Sequence, residues 1–219
     1  MDSGYLKRIC VCLSGLIISG IGMYFIVQAT NIGIGAWETF QTGISLKTGI
    51  LYGNCSVMVS FTVILLDLLL GGKIGVGTFC NAVLIGKTVD FFHLYCDILP
   101  QAQTLPLGFA YLIIGMILHA VGIVVYMRPG LGCGPRDTLM VIFAKKLPNV
   151  NIGFVRFGIE MCVFLIGILL GAPYGWGSVF AIASTSFIMQ AVFKLFRFQA
   201  RTVQHESIRD TYRRIRGLS

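Results

Sequence analysis

The segment GIGAWET at Gly33–Thr39 returns as GCGPRDT at Gly132–Thr138. Gly33, Gly35, Glu38 and Thr39 are answered by Gly132, Gly134, Asp137 and Thr138 at a constant offset of 99. Past the motif the register continues at an offset of 100. Gly53, Leu65, Leu69, Leu70, Gly71, Gly75 and Gly77 recur as Gly153, Leu165, Leu169, Leu170, Gly171, Gly175 and Gly177, and Thr78 recurs as Ser178. Self-similarity at a fixed period marks a duplicated unit, so both halves of the chain must adopt nearly the same arrangement.

Between the motifs the sequence is apolar in long unbroken runs. Hydrophobic residues make up 56% of the 219 positions and charged residues 12%, about half the charged share of a soluble domain. Mean hydropathy is +0.83. Such runs suit a helix whose solvent is lipid, because an α-helix satisfies its own backbone polar groups. The sequence predicts an all-α, polytopic membrane helix bundle with six spans near 9–28, 56–70, 74–95, 107–127, 152–170 and 175–196. A first repeat covers residues 1–96, a loop 97–106, a second repeat 107–196 and a basic tail 197–219. The run after Lys7 and Arg8 is about 20 residues long with no small-residue cleavage site, and reads as a retained span.

Charge sets the expected orientation. With the N-terminus inside, Lys7, Arg8, Lys73, Arg128, Arg136, Lys145, Lys146 and the tail face the cytoplasm, and Lys47 is alone outside. That bias predicts an inner-membrane protein with both termini cytoplasmic. Three spans per repeat is an odd number, so the second copy is expected upside down relative to the first, a design used by secondary transporters. The net charge of +8 sits mostly in the tail, where it suits anionic lipid; without a soluble reader domain it does not point to nucleic acid.

The motif is the first candidate site. Glycines at 33, 35, 132 and 134 let the backbone leave helical geometry, and Pro135 with Asp137 reads as a helix start. Short helices are expected at 37–51 and near 138–144. They are either re-entrant, with their N-termini and Arg136 offering an anion site, or interfacial connectors. Thr39 and Thr138 belong to the same candidate set. Arg156 and Glu160 share a helix face in the fifth span, as part of a pathway or as a structural pair. Lys87 and Asp90 are expected to neutralise each other, Asp67 to reach the membrane interface, and His119 to be a core histidine or a proton carrier. Gly75, Gly77, Thr78, Gly175, Gly177 and Ser178 read as close packing, with Asn81 a turn beyond. The seven cysteines form no CxxC pair and read as buried, inert thiols. No catalytic motif, cofactor signature or metal-ligand set is present, so no enzyme is expected.

On GIGAWET, GLGCGPRDTLM, VRFGIE and the following LLG and GxGS, the chain resembles the YczE/YyaS/YitT family of bacterial integral membrane proteins. The likeness runs from about Gly15 to Phe196, with Ala36 where that pattern has proline and Glu38 where it has aspartate. It implies a small polytopic inner-membrane protein and carries no substrate. Together the residues suggest a small secondary transporter or permease for an anionic or zwitterionic solute, with a carboxylate able to couple a proton. The partners expected are the lipid bilayer, the solute, and a homodimer or energising subunit. The alternative is a membrane scaffold, or a binding subunit that needs a partner.

Overall fold

A computed structural model describes residues 3–96, 98–150, 152–199, 203, 206–208 and 210–211. Most of the tail arginines, including Arg201, Arg209, Arg213, Arg214 and Arg216, therefore lie outside the described residues, as does Asp97. The described chain is helical, without strands. In order it forms α1 (Ser3–Val27), α2 (Ala36–Thr48), α3 (Tyr52–Leu69), α4 (Val76–Phe91), a π-helical turn (Phe92–Cys96), α5 (Leu105–Met127), α6 (Pro135–Lys146), α7 (Ile152–Leu169) and α8 (Trp176–Leu195). Among the described residues α1, α3, α5 and α8 are long and apolar enough to cross a membrane. α4 has 16 α-helical residues before the π turn and falls short of that length.

The duplicated sequence signals act as duplicated stops and starts. α3 ends where the Gly72 N–H reaches Asp67 O, with Gly71 at φ +83°. α7 ends the same way, with Ala172 N–H on Gly167 O and Gly171 at φ +89°. Both are C-terminal caps in which a left-handed glycine satisfies carbonyls left over by the helix. α2 and α6 start after Gly35 and Gly134 in extended conformation, and Pro135 occupies the first helical position as its sequence suggests. α6 runs on to Lys146, longer than the short helix expected.

The centre of the fold is the α1–α5 pair. A Cβ on Gly22 would lie 2.5 Å from His119 N, and one on Gly115 would lie 2.7 Å from Gly22 O. One on Gly122 would lie 2.5 Å from Ser19 N, and Gly15 meets Gly122 and Tyr126 backbone equally closely. Rising positions on α1 meet falling positions on α5, so the two helices are antiparallel. Small residues let two backbones come this near in an apolar solvent, where dispersion contacts rather than hydrophobic exclusion hold helices together. α4 packs against α1, and α8 against α5. α2 packs against α7, and α6 against α3. The halves are interlocked, since each motif helix leans on the other half.

The two ends of the bundle are separately tied. At one, Arg8 pairs with Glu206 at 2.8 Å and donates to Pro129 O, Glu206 N–H reaches Gly130 O at 2.8 Å, and Ile208 N–H reaches Ile74 O at 3.0 Å. At the other, Ala102 N–H reaches Gln28 O at 2.9 Å and Asn31 Nδ2 donates to Thr104 O at 3.0 Å.

Candidate functional site

The two motif loops dock in matching fashion on the opposite half. Gly77 N–H, in the first turn of α4, donates to Leu131 O at 2.8 Å. Gly177 N–H, in the first turn of α8, donates to Ile32 O at 2.7 Å. Gly132 (φ +135°) lies against Thr78 and Gly33 (φ +93°) against Ser178. A side chain at either glycine would be strained in φ and would collide with the facing hydroxyl. The Gly75–Thr78 and Gly175–Ser178 segments do serve close packing, but against loops rather than against neighbouring helices.

This docking aims the N-termini of α2 and α6 into one cavity of about 160 Å³ at the centre of the bundle. A void of about that size accommodates a benzene-sized molecule. Seven sequence-predicted residues line it: Gly35, Glu38, Gly134, Arg136, Asp137, Arg156 and Glu160. Gly33, Gly132, Thr39 and Thr138 stand behind them. Thr39 Oγ1 donates to Gly35 O at 2.8 Å and Thr138 Oγ1 to Gly134 O at 3.2 Å, which holds each helix start.

Within the cavity the charges are arranged around each other. Arg136 Nη1 donates to Glu38 Oε1 at 3.1 Å, joining the first turns of α6 and α2, and its guanidinium lies 4.8 Å from the Trp37 ring centroid. Arg156 Nε donates to Glu160 Oε1 at 2.8 Å along α7. Glu38 and Asp137, third in their helices, fold back over Gly35 and Gly134, where an acid offsets the positive end of a helix. Asp137 makes no ion pair among the described residues. Two guanidiniums, three carboxylates and two helix N-termini of about +0.5 each leave the site close to neutral. Such a site suits a ligand that carries both signs.

The offset of 100 also exposes lining residues that motif reading passed over. Ser56 and Ser60 on α3 occupy the places of Arg156 and Glu160 on α7, and all four line the cavity. His119, expected as a core histidine or a proton carrier, lines it too, with Nδ1 2.7 Å from Ser19 Oγ. Applying the repeat register to every polar residue of the spans, not only to the motif, would have found the two serines.

Three expectations are corrected. Lys87 and Asp90 do not pair. Lys87 Nζ donates to Asn54 Oδ1 at 2.5 Å, and Asp90 Oδ1 accepts the Gly53 N–H at 2.7 Å, so both staple α4 to α3. The buried Gly53 N–H has no partner within its own helix start, and it takes the carboxylate that a salt bridge along α4 would have used. Asp67 does not reach the interface. It is fully buried, without a hydrogen-bond partner at either oxygen among the described residues, at the position occupied in the second half by Gly167. The cysteines are all free, but Cys10 and Cys162 are exposed on the helix exterior. In the second motif loop, burial pushes the Cys133 thiol up to about 11.

Residues 6–194 match the family described as a family of unknown function, DUF6198. The chain belongs to that family. It is 29% identical over 178 residues to the uncharacterized membrane protein YczE of Bacillus subtilis, covering 81% of each chain. It is 32% identical over 184 residues to an uncharacterized protein of Haemophilus influenzae, covering 84% of this chain and 82% of the relative. No solved structure matches. The family assignment agrees with the resemblance read from the motifs, and with an all-helical membrane protein.

Proposed function

We propose that the protein is a small multi-pass transporter or permease, and that its central cavity binds a small molecule bearing both a positive and a negative charge. The single observation that carries this reading is the convergence of both motif helices, both arginine–carboxylate pairs and the two halves of the repeat on one cavity. Charges buried in a membrane bundle are costly and persist where they serve a pathway or a ligand. The near-neutral sum favours a zwitterion over a simple anion. The anionic group would exchange with a carboxylate at Arg136 or Arg156, and the cationic group would face Asp137 or Glu160. Uptake of a proton by one of those carboxylates when the ammonium group leaves, and its loss when the next one binds, is the natural coupling step.

The same geometry supports six membrane-crossing helices in two inverted repeats. The Gly15–Gly122 and Gly22–Gly115 pairs are what an axis perpendicular to two antiparallel helices produces, since Gly15 and Gly115 lie 100 positions apart in the sequence, as do Gly22 and Gly122. α2 and α6 then act as re-entrant helices, each covered by protein as irregular backbone at that depth requires. The end that holds Arg8, Ile74, Pro129 and Glu206 carries Lys7, Lys73 and Arg128 nearby, which supports reading it as the cytoplasmic end.

Thermal stability of the detergent-purified protein against millimolar anions, cations and zwitterions tests the reading. A ligand that binds the native state raises stability by mass action. Stabilisation is expected from zwitterions that carry a phosphate or carboxylate, and is expected to vanish in Arg136→Ala and persist in Arg128→Ala. A ligand effect indifferent to Arg136 would remove the cavity from the account.

A further inference from the structure

The cavity is walled unequally by the two halves. In the first half, α3 and α4 are stapled together. A Cβ on Gly86 would lie 2.6 Å from Gly53 O, Asp90 Oδ1 accepts the Gly53 N–H, and Lys87 donates to Asn54. In the second half the places of Asn54, Gly86, Lys87 and Asp90 are taken by Phe154, Ser186, Phe187 and Gln190. Among the described residues no comparable packing joins α7 to α8. Phe154 and Phe187 are each 73% exposed. Only 17% of the α8 span is buried, against 44% of α3 and 50% of α1 and α5.

The cavity reaches this unsealed seam. Arg156, Ile159 and Glu160 of α7 and Ile182, Thr185 and Met189 of α8 line it from the two sides. The charge-bearing chamber thus lies along a seam that carries the exposed apolar side chains Phe154 and Phe187. Resting on the zwitterion reading above, we infer that the substrate is a zwitterionic amphiphile of phospholipid type, entering sideways from the bilayer. Its headgroup occupies the cavity and its acyl chains leave between α7 and α8. Arginine suits the phosphodiester, since its fork matches phosphate oxygens. The ammonium group faces the carboxylates of Glu160 and Asp137. Ile159, Ile182 and Met189 give the first methylenes an apolar wall, and Phe154 and Phe187 extend it outward.

The test uses the full chain in detergent and then in lipid nanodiscs. Thermal stabilisation is measured with glycerophosphoethanolamine, with a short-chain phosphatidylethanolamine and with short-chain phosphatidylglycerol. A phosphatidylethanolamine bearing a diazirine high on one acyl chain is photolysed in nanodiscs and its adducts are mapped. Expected are at least tenfold tighter binding of the phosphatidylethanolamine than of its headgroup, weaker binding of the phosphatidylglycerol, and adducts concentrated on the facing sides of α7 and α8. Equal affinity for lipid and headgroup would overturn the lateral route and leave the zwitterion site standing. No stabilisation by either, with scattered adducts, would overturn both. Adducts spread evenly over α1, α3 and α5 would mark ordinary annular lipid, and a cross-linked dimer sealed through Phe154 and Phe187 without adducts would show a second copy on the seam; each overturns the proposal.

Discussion

Replacing Gly22 by alanine probes the α1–α5 contact directly. The new Cβ would stand 2.5 Å from His119 N and 2.6 Å from Gly115 O. Ordinary carbon contacts lie at about 3.5–4.0 Å, so the helices must part by roughly 1 Å. Both obstructing atoms are backbone and cannot swing aside. Overpacking of this kind costs about 1–3 kcal/mol, and the rigidity on both sides places Gly22→Ala near the upper end. Gly158→Ala is the control. It is also a helical glycine, on α7, but its Cβ would meet nothing within 4 Å, and an exposed helical Gly→Ala gains about 0.5–1 kcal/mol. The pair should differ by about 3 kcal/mol in reversible unfolding by denaturing detergent. A double substitution of Gly22 and Gly115 should cost less than the sum of the singles, because one separation of the helices relieves both clashes. If Gly22→Ala and Gly158→Ala agree within about 0.5 kcal/mol, the close backbone approach is wrong.

Other consequences can be checked with the same material. Arg136→Ala and Glu38→Gln together should show a coupling of about 1 kcal/mol in a double-mutant cycle, since the pair is partly shielded and hydrogen-bonded; additive effects would mean the two do not interact. Asp67→Asn, which keeps the shape and removes any buried charge, should leave the melting temperature unchanged or raise it, whereas Asp67→Lys should block folding. Cys133, whose thiol burial holds up at about 11, carries less of the reactive thiolate at pH 7.4 than an ordinary cysteine and should react slowly with maleimide until the protein is unfolded.

Much of this protein was legible in its residues. Composition and unbroken apolar runs dictate helices in lipid, because no other short-range arrangement satisfies the backbone there. The repeated Leu-Leu-Gly and Gly-x-Gly segments fixed where helices stop and start, since capping is a local matter of φ and of the next few N–H groups. Membership of both arginines and their acids in one candidate set could be read from the motif and the helical spacing.

Which charges meet which was not local. Arg136 meets Glu38 across 98 positions, and Lys87 prefers Asn54 to the Asp90 one turn away. Those choices depend on which helix face lies opposite, and that follows from backbones meeting at Gly15, Gly22, Gly115 and Gly122. Glycines in sequence announce only that a close approach is possible. The unequal walls of the cavity were equally silent, since Phe154 and Phe187 look like any apolar residues until they stand where Asn54 and Lys87 make a seal. Sequence determined the elements and the repeat, because these rest on interactions between near neighbours. Tertiary structure alone decided the site's charge balance and its open side, because both are sums over groups that only packing brings together.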